Sequence, residues 1–233
     1  MQKAAFWYEE AANQGYADAQ YRLSLCYYSG HGVMRDLEQS ASWCEKAATQ
    51  GHAQAQNSLG TYYFIGFGVM IDKEKAVSWW MKAANQGLAN AQYNLALCYI
   101  NGEGVAKDAK KGCSMFEKAA VQGHAKAQTR LGFRYTQGNG VSLDLQKAFY
   151  WYEKAAVQGD TEAQFHLGTC YYAGEGVKRD LQKAFYWWEK AANQGEPYAQ
   201  KWVISCYENG EGVEKDLEKA AYWKKIYEEN TKK

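Results

Sequence analysis

The sequence predicts an all-α solenoid built from helix–turn–helix repeats, on three observations. The motif QG-x-A-x-AQ stands at Gln14–Gln20, Gln50–Gln56, Gln86–Gln92 and Gln122–Gln128, then in looser form at Gln158–Gln164 and Gln194–Gln200, each step being 36 residues. A fixed interval of this size means one supersecondary unit stacked on copies of itself. Between the motifs, apolar and small residues return at helical spacing, as at 37, 40, 41, 44, 47 and 48. Glycines and aspartates punctuate every unit at the same places. The chain of 233 residues is therefore read as a single solenoid domain, 1–233. Residues 1–15 form a half repeat with helix B only. Repeats follow at 16–51, 52–87, 88–123, 124–159 and 160–195, then a final repeat with a polar C-terminal cap at 196–233.

Residues 16–51 serve as the type. Helix A is predicted from about Ala17 to Tyr28, and the loop Ser29-Gly30-His31-Gly32-Val33 follows. The paired glycines, as in Gly30/Gly32 and Gly102/Gly104, supply the positive φ that the turn needs. Val33, Val69, Val105, Val141, Val177 and Val213 come next and are expected to plug the loop onto the helix pair. Helix B is predicted from about Leu37 to Thr49. Asp36, Asp72, Asp108, Asp144, Asp180 and Asp216 precede it, each placed to accept from the free amides of the first turn. Gly51 and its equivalents close it in the left-handed region. The Ala47-Ala48 pair recurs in five of six units and lets the next helix approach closely. Trp43, Trp79, Trp151, Trp187 and Trp223 share one position, with Met115 as the substitute, and are read as inter-repeat packing. In the last unit that alanine pattern gives way to Ile226-Tyr227-Glu228 and a polar tail, as expected of a capping end. The half-unit at 1–15 is read as the mark of a chain cut from a longer array.

Composition excludes several classes. The chain is 47% hydrophobic with 15% aromatics and one proline, which argues against disorder. A formal net charge of +1 provides no general attraction for nucleic acid or anionic lipid. Lys107, Lys110 and Lys111 form the densest basic stretch and are read as a solvated helix start. No run of 18 apolar residues is present, so no membrane insertion is expected. The G-x-G pairs lack the preceding strand and longer glycine pattern of a nucleotide cradle.

The residues Ala55, Leu59, Gly60, Tyr63, Gly66, Gly68, Val69, Asp72, Ala76, Trp79, Lys82, Ala83, Ala84 and Gly87 trace a pattern that resembles the Sel-1-like repeat (SLR) family. The tetratricopeptide repeat is related, but its period is 34 and it lacks the G-x-G-V loop. The resemblance covers essentially the whole chain. It implies a right-handed α/α superhelix and a scaffold or adaptor role in protein complexes, commonly in bacterial host-interaction, envelope or signalling systems. Cysteine-rich members resemble disulfide-stapled solenoids, with one cysteine late in helix B and its partner early in the next helix A. The matching positions here are Ala48 and Gln56, so the β-lactam or cell-wall-acting activity of that branch stands only as an alternative. A dedicated toxin-neutralising immunity protein is the other.

Cys26, Cys98, Cys170 and Cys206 share one helix-A position, and Cys44 and Cys113 lie on helix B. Small buried thiols are expected. Equivalent cysteines of successive A helices, such as Cys170 and Cys206, lie beyond disulfide reach, while Cys98 and Cys113 face each other across one hairpin, where a bridge is sterically open. His31, His52, His124 and His166 fall in no metal-binding spacing. No G-x-S-x-G motif, paired Cys/His signature or Walker loop is present. Neither catalysis nor a metal or cofactor is expected.

A partner site is read from variation between repeats. Residues that hold the stack must recur, whereas those serving one ligand are free to differ. On helix A the recurring positions 19, 20, 23 and 27 cluster on one side of the wheel, and the varying ones fall opposite, on the side expected to line the concave groove. That side carries Tyr21, Arg22, Leu25, Tyr28, Asn57, Phe64, Tyr93, Asn94, Leu97, Ile100, Arg130, Phe133, Phe165, His166, Tyr172 and Trp202. Aromatics interspersed with arginine are favoured binding anchors. The expectation is a monomeric scaffold that takes a protein or peptide in this groove, with substantial exposure at Tyr21, Tyr28, Phe64, Tyr93 and Phe133. Burial of the stripe between neighbouring helices is the competing reading. The sequence leaves the compartment open: secreted or periplasmic after loss of a signal, otherwise cytoplasmic.

Overall fold

The structure, a computed structural model, describes residues 2–231. Among these residues there are thirteen α-helices and no strand: α1 (Gln2–Asn13), α2 (Ala17–Ser29), α3 (Leu37–Thr49), α4 (Ala53–Ile65), α5 (Lys73–Asn85), α6 (Ala89–Asn101), α7 (Ala109–Val121), α8 (Ala125–Gln137), α9 (Leu145–Val157), α10 (Thr161–Ala173), α11 (Leu181–Asn193), α12 (Pro197–Asn209) and α13 (Leu217–Thr231). Even-numbered helices are the A helices, and odd-numbered ones from α3 onward are the B helices that follow them. The expected helix boundaries hold to within a residue. Two compact units result, Met1–Ala119 and Ala120–Lys233, called here unit 1 and unit 2.

The local signals act as their chemistry requires. All six aspartates cap their B helices, each accepting the amide three residues on at 2.9–3.0 Å, from Asp36 with Gln39 to Asp216 with Lys219. Such a cap contributes about 1 kcal/mol. The first loop glycine ends helix A in the left-handed region, as Gly30 does at φ 74°. Its amide and that of His31 both return to the Cys26 carbonyl. The second glycine has a different reason to be glycine. A Cβ on Gly68 would collide with the Leu37 carbonyl oxygen at the start of α3, and one on Gly176 with that of Leu145 at the start of α9. The loop of one repeat thus rests directly on the backbone of the helix B before it.

The glutamines of the motif form a ladder. Gln20, Gln56, Gln128, Gln164 and Gln200 are buried, and each donates through Nε2 to the carbonyl of the alanine eight residues earlier, from Ala12 to Ala192. Their Oε1 atoms accept from the motif's first glutamine one repeat on, Gln50 to Gln20, Gln86 to Gln56, Gln158 to Gln128 and Gln194 to Gln164, all at 2.7 Å. Burying an amide side chain is tolerable only with both ends satisfied, which explains why both glutamines recur together. The last rung is incomplete, since the buried Gln200 Oε1 has no partner among the described residues.

Alanine pairs supply the close packing between repeats. Ala47, Ala48, Ala83, Ala119, Ala155 and Ala191 are fully or almost fully buried. The recurrent tryptophans pack between repeats as expected, Trp43 on the cluster of Ala12, Ala19 and Leu23 and Trp79 on that of Ala41, Cys44 and Leu59. One core position was not anticipated. Trp80 and Trp188 are buried, and each indole N–H donates to a helix-A carbonyl, Asn57 at 3.1 Å and Phe165 at 3.2 Å. The facing helix-A residues are Gly60 and Gly168, where any Cβ would press into the indole ring. Gly132 makes the same room for Tyr152. Where helix B carries the smaller Phe116 or Cys44, helix A carries Ala96 or Ser24. The two helices of a repeat share a fixed volume.

Candidate functional site

The varying face of the A helices divides into residues that remain accessible and residues absorbed by packing. In unit 1, Tyr28 is 45% exposed and Leu25 is exposed beside it. Tyr28 lies 5.0 Å from Phe67 and 6.4 Å from Tyr62, ring to ring. Together with Asn57, Thr61 and Ile65 they line a cavity of about 210 Å³ on the A-helix face. Asn57 Oδ1 accepts from Asn94 Nδ2 at 3.3 Å, so the two amides named in the sequence meet across one repeat. Tyr21 is partly buried, bonded to Ser58 Oγ at 3.3 Å and 4.8 Å from the His52 ring. Arg22 is exposed and paired with Asp18 at 3.1 Å.

Other residues of the set serve partly as packing. Phe64 lies against Trp80 with centroids 5.3 Å apart, and Tyr93 lies 5.7 Å from Phe116. Both are partly buried, as is Leu97. Ile100 departs from the expectation: it is only 8% exposed. A Cβ on Gly112 of α7 would lie 2.7 Å from the Ile100 side chain, so Ile100 fills the space that the alanine or serine of other repeats occupies. It is a core residue and leaves the candidate face.

In unit 2, Phe133 is 38% exposed and Arg130 binds Glu162 at 2.9 Å. His166 is partly buried among rings, stacked on Tyr152 at 4.8 Å and near Phe165 at 5.4 Å and Phe133 at 6.3 Å. Burial, reinforced by the Arg130 charge, pulls its imidazole down to about 4, so the ring is neutral at physiological pH. Tyr172 and Trp202 are partly buried and flank Trp188, with Trp202 stacked on it at 4.5 Å. Of the five residues whose exposure tests the groove reading, Tyr28 and Phe133 are exposed, while Tyr21, Phe64 and Tyr93 are partly buried.

No disulfide links the cysteines, so the Cys98–Cys113 bridge is not formed. Burial pushes Cys44, Cys170 and Cys206 up to about 12 and Cys98 to about 11. These thiols stay protonated and lack nucleophilic character. Among the described residues no group of three His, Cys, Asp or Glu side chains is placed to hold a metal, and no helix is long and apolar enough to cross a membrane.

A roomier cavity lies elsewhere, on the B-helix face of unit 2. It encloses about 540 Å³ lined by Val121, Tyr150, Trp151, Lys154 and Val157, among others. Its tyrosine belongs to a series, Tyr150, Tyr186 and Tyr222, exposed by 47%, 48% and 63%. Each packs edge-to-face on the tryptophan that follows it. The same position in unit 1 carries Phe6, 54% exposed and edge-to-face on Trp7, and then Ser42, Ser78 and Ser114, a variation on helix B as plain in the sequence as that on helix A.

The repeat boundaries, caps and ladder agree with one family. The family model for the Sel1 repeat matches residues 1–16, 17–52, 53–88, 89–124, 125–160, 161–196 and 204–223. The chain belongs to the Sel1-repeat family. It is similar to a protective antigen of uropathogenic Escherichia coli displaying an SLR fold, with 37% identity and a TM-score of 0.92 over 96% of this chain and 48% of that one. The chain thus spans about half the length of the E. coli protein. A Sel1 repeat protein from Oxalobacter formigenes is 34% identical with a TM-score of 0.81, over 92% of this Sel1-repeat chain and 86% of that one. An immunity protein from Pseudomonas aeruginosa shares the fold alone, at 22% identity and a TM-score of 0.54 over 92% and 81% of the two chains. No curated protein matches the chain significantly.

Proposed function

We propose that this Sel1-repeat chain is a non-enzymatic interaction module that takes a protein or peptide partner on the face of its A helices. Sel1 repeats mediate protein–protein interaction, and two features of this chain support the same role. The framework residues recur and are buried, while Leu25, Tyr28 and Phe133 differ between repeats and remain exposed. The single observation that carries the reading is the cavity at Leu25, Tyr28, Ile65 and Phe67. An apolar pocket beside exposed aromatics is a site where a partner's side chain gains burial. The buried, protonated thiols give no support to the cysteine-dependent alternative.

The test is affinity capture from the source cell followed by mass spectrometry, then repetition with Tyr28→Ala and Phe133→Ala. Each substitution is expected to weaken the captured complex by about 1–2 kcal/mol with an unchanged helical circular dichroism spectrum. Full retention of the partner by the double variant would remove the A-helix face from consideration.

A further inference from the structure

Unit 2 carries a second cavity on its A-helix face, of about 290 Å³, lined by Glu162, Phe165, His166, Glu196 and Tyr198. Its composition is unlike that of the apolar cavity in unit 1. The rings of Phe165 and Tyr198 form one wall, with centroids 6.1 Å apart. Two carboxylates border it. Glu162 Oε1 is bound by Arg130 at 2.9 Å and Glu196 Oε1 by the Tyr198 amide at 3.2 Å. Neither second carboxylate oxygen has a hydrogen bond among the described residues. The remaining wall is the His166 imidazole, which burial keeps uncharged. Carboxylate oxygens with aromatic faces and no competing positive imidazole are the surroundings that a desolvated cation favours.

The chain itself shows which cation suits this surface. The position of His166 is held one repeat earlier by Arg130, whose guanidinium reaches the carboxylate of Glu162. On the other side the Lys201 ammonium lies 5.8 Å from the Tyr198 ring centroid. Cations of the chain thus engage the rim, whereas the cavity itself is bordered by acid and aromatic groups and by a neutral ring where the preceding repeat has arginine. We propose that this cavity takes the guanidinium of an arginine side chain presented by the partner. Arginine is preferred over lysine because its planar head stacks on rings and forks onto carboxylates, while an ammonium does neither. This inference rests on the interaction-module reading and names the partner's chemistry at one pocket.

The test is a ¹H–¹⁵N NMR titration of the full chain with Nα-acetyl-arginine methylamide and with the uncharged citrulline analogue. Saturable shifts at the Phe165, His166 and Tyr198 amides are expected with the arginine compound. The citrulline compound should bind at least about fivefold more weakly. Glu196→Gln and Phe165→Leu should each weaken the arginine compound by about fivefold, with circular dichroism confirming the fold. Shifts of equal affinity with citrulline, no saturable shift, or unchanged binding by both variants would overturn the proposal. If the arginine compound fails while Tyr28→Ala and Phe133→Ala still weaken capture of the partner, only the guanidinium pocket falls and the broader reading stands.

Discussion

Units 1 and 2 share one backbone plan and use it differently. At the exposed position of helix B, unit 1 has Phe6 in its opening half repeat and then Ser42, Ser78 and Ser114, whereas unit 2 has Tyr150, Tyr186 and Tyr222 throughout. On the A-helix face, unit 1 forms an apolar cavity around Leu25 and Tyr28, and unit 2 forms one bordered by Glu162 and Glu196. Capping aspartates, loop glycines and the glutamine ladder are the same in both. The difference teaches that this repeat separates two tasks. Backbone hydrogen bonds and small residues hold the stack, and side chains outside that set diverge without disturbing it.

The core position that holds Trp80 in unit 1 and Trp188 in unit 2 is where individual repeats should differ most in energy. Trp188 in unit 2 is 1% exposed and stacked on Trp202, while its counterpart in the first full repeat of unit 1 is Cys44. Trp188→Ala is expected to cost about 3–5 kcal/mol and Cys44→Ala roughly 1 kcal/mol. Hydrogen exchange, read unit by unit, separates them. Equal losses in the two units would break the comparison.

The next largest effect is the pH dependence that His166 contributes in unit 2. His166 titrates near 4 in the folded chain against about 6.5 when unfolded. The unfolded state therefore binds the proton first. The stability from the neutral ring is present above pH ~6.5 and is lost as pH falls toward 4, on the order of 3 kcal/mol in all. Chemical denaturation between pH 7 and pH 4 should show this decline, and His166→Phe should reduce it, leaving the share of His124, whose imidazole burial also pulls down. A variant that keeps the full slope would assign the titration to another group.

Shared volume within a repeat gives a smaller and sharper test. A methyl group at Gly60 would lie 2.7 Å from the Trp80 ring, so Gly60→Ala should cost about 1–3 kcal/mol. Adding Trp80→Phe recreates the Ala96–Phe116 combination already present in unit 1. It should recover part of the loss, giving a favourable coupling in a double-mutant cycle. Strict additivity would mean that the two positions do not share space. At the low end, Tyr150→Ser, Tyr186→Ser and Tyr222→Ser give the outer face of unit 2 the side chain that Ser42, Ser78 and Ser114 supply in unit 1. Each should change stability by only about 0.5 kcal/mol, because these rings are largely in solvent. A cooperative loss in the triple variant would make the tyrosines structural.

Much of the fold was legible because its determinants are local. Asp36 caps a helix whatever surrounds it, and Gly30 ends one because only glycine enters the left-handed region without strain. The candidate site was legible only in part. Internal variation pointed to Leu25, Tyr28 and Phe133, which are exposed, and to Phe165 and His166, which border a cavity. It misplaced Ile100, whose burial depends on Gly112 twelve residues later and on another helix. Glu162, Glu196 and Tyr198 also differ between repeats, but they border one cavity only because Phe165 of one repeat meets the turn into the next.

By itself the sequence determined the period, the thirteen helices, their caps and the family. These follow from hydrogen bonds and φ values set within a few residues and repeated at a constant interval. The tertiary structure alone decided which varying side chains reach solvent, which rings share a volume with a facing glycine, and where carboxylates gather beside aromatics. Those outcomes depend on close packing between helices distant in sequence, where one side chain's size settles another's exposure.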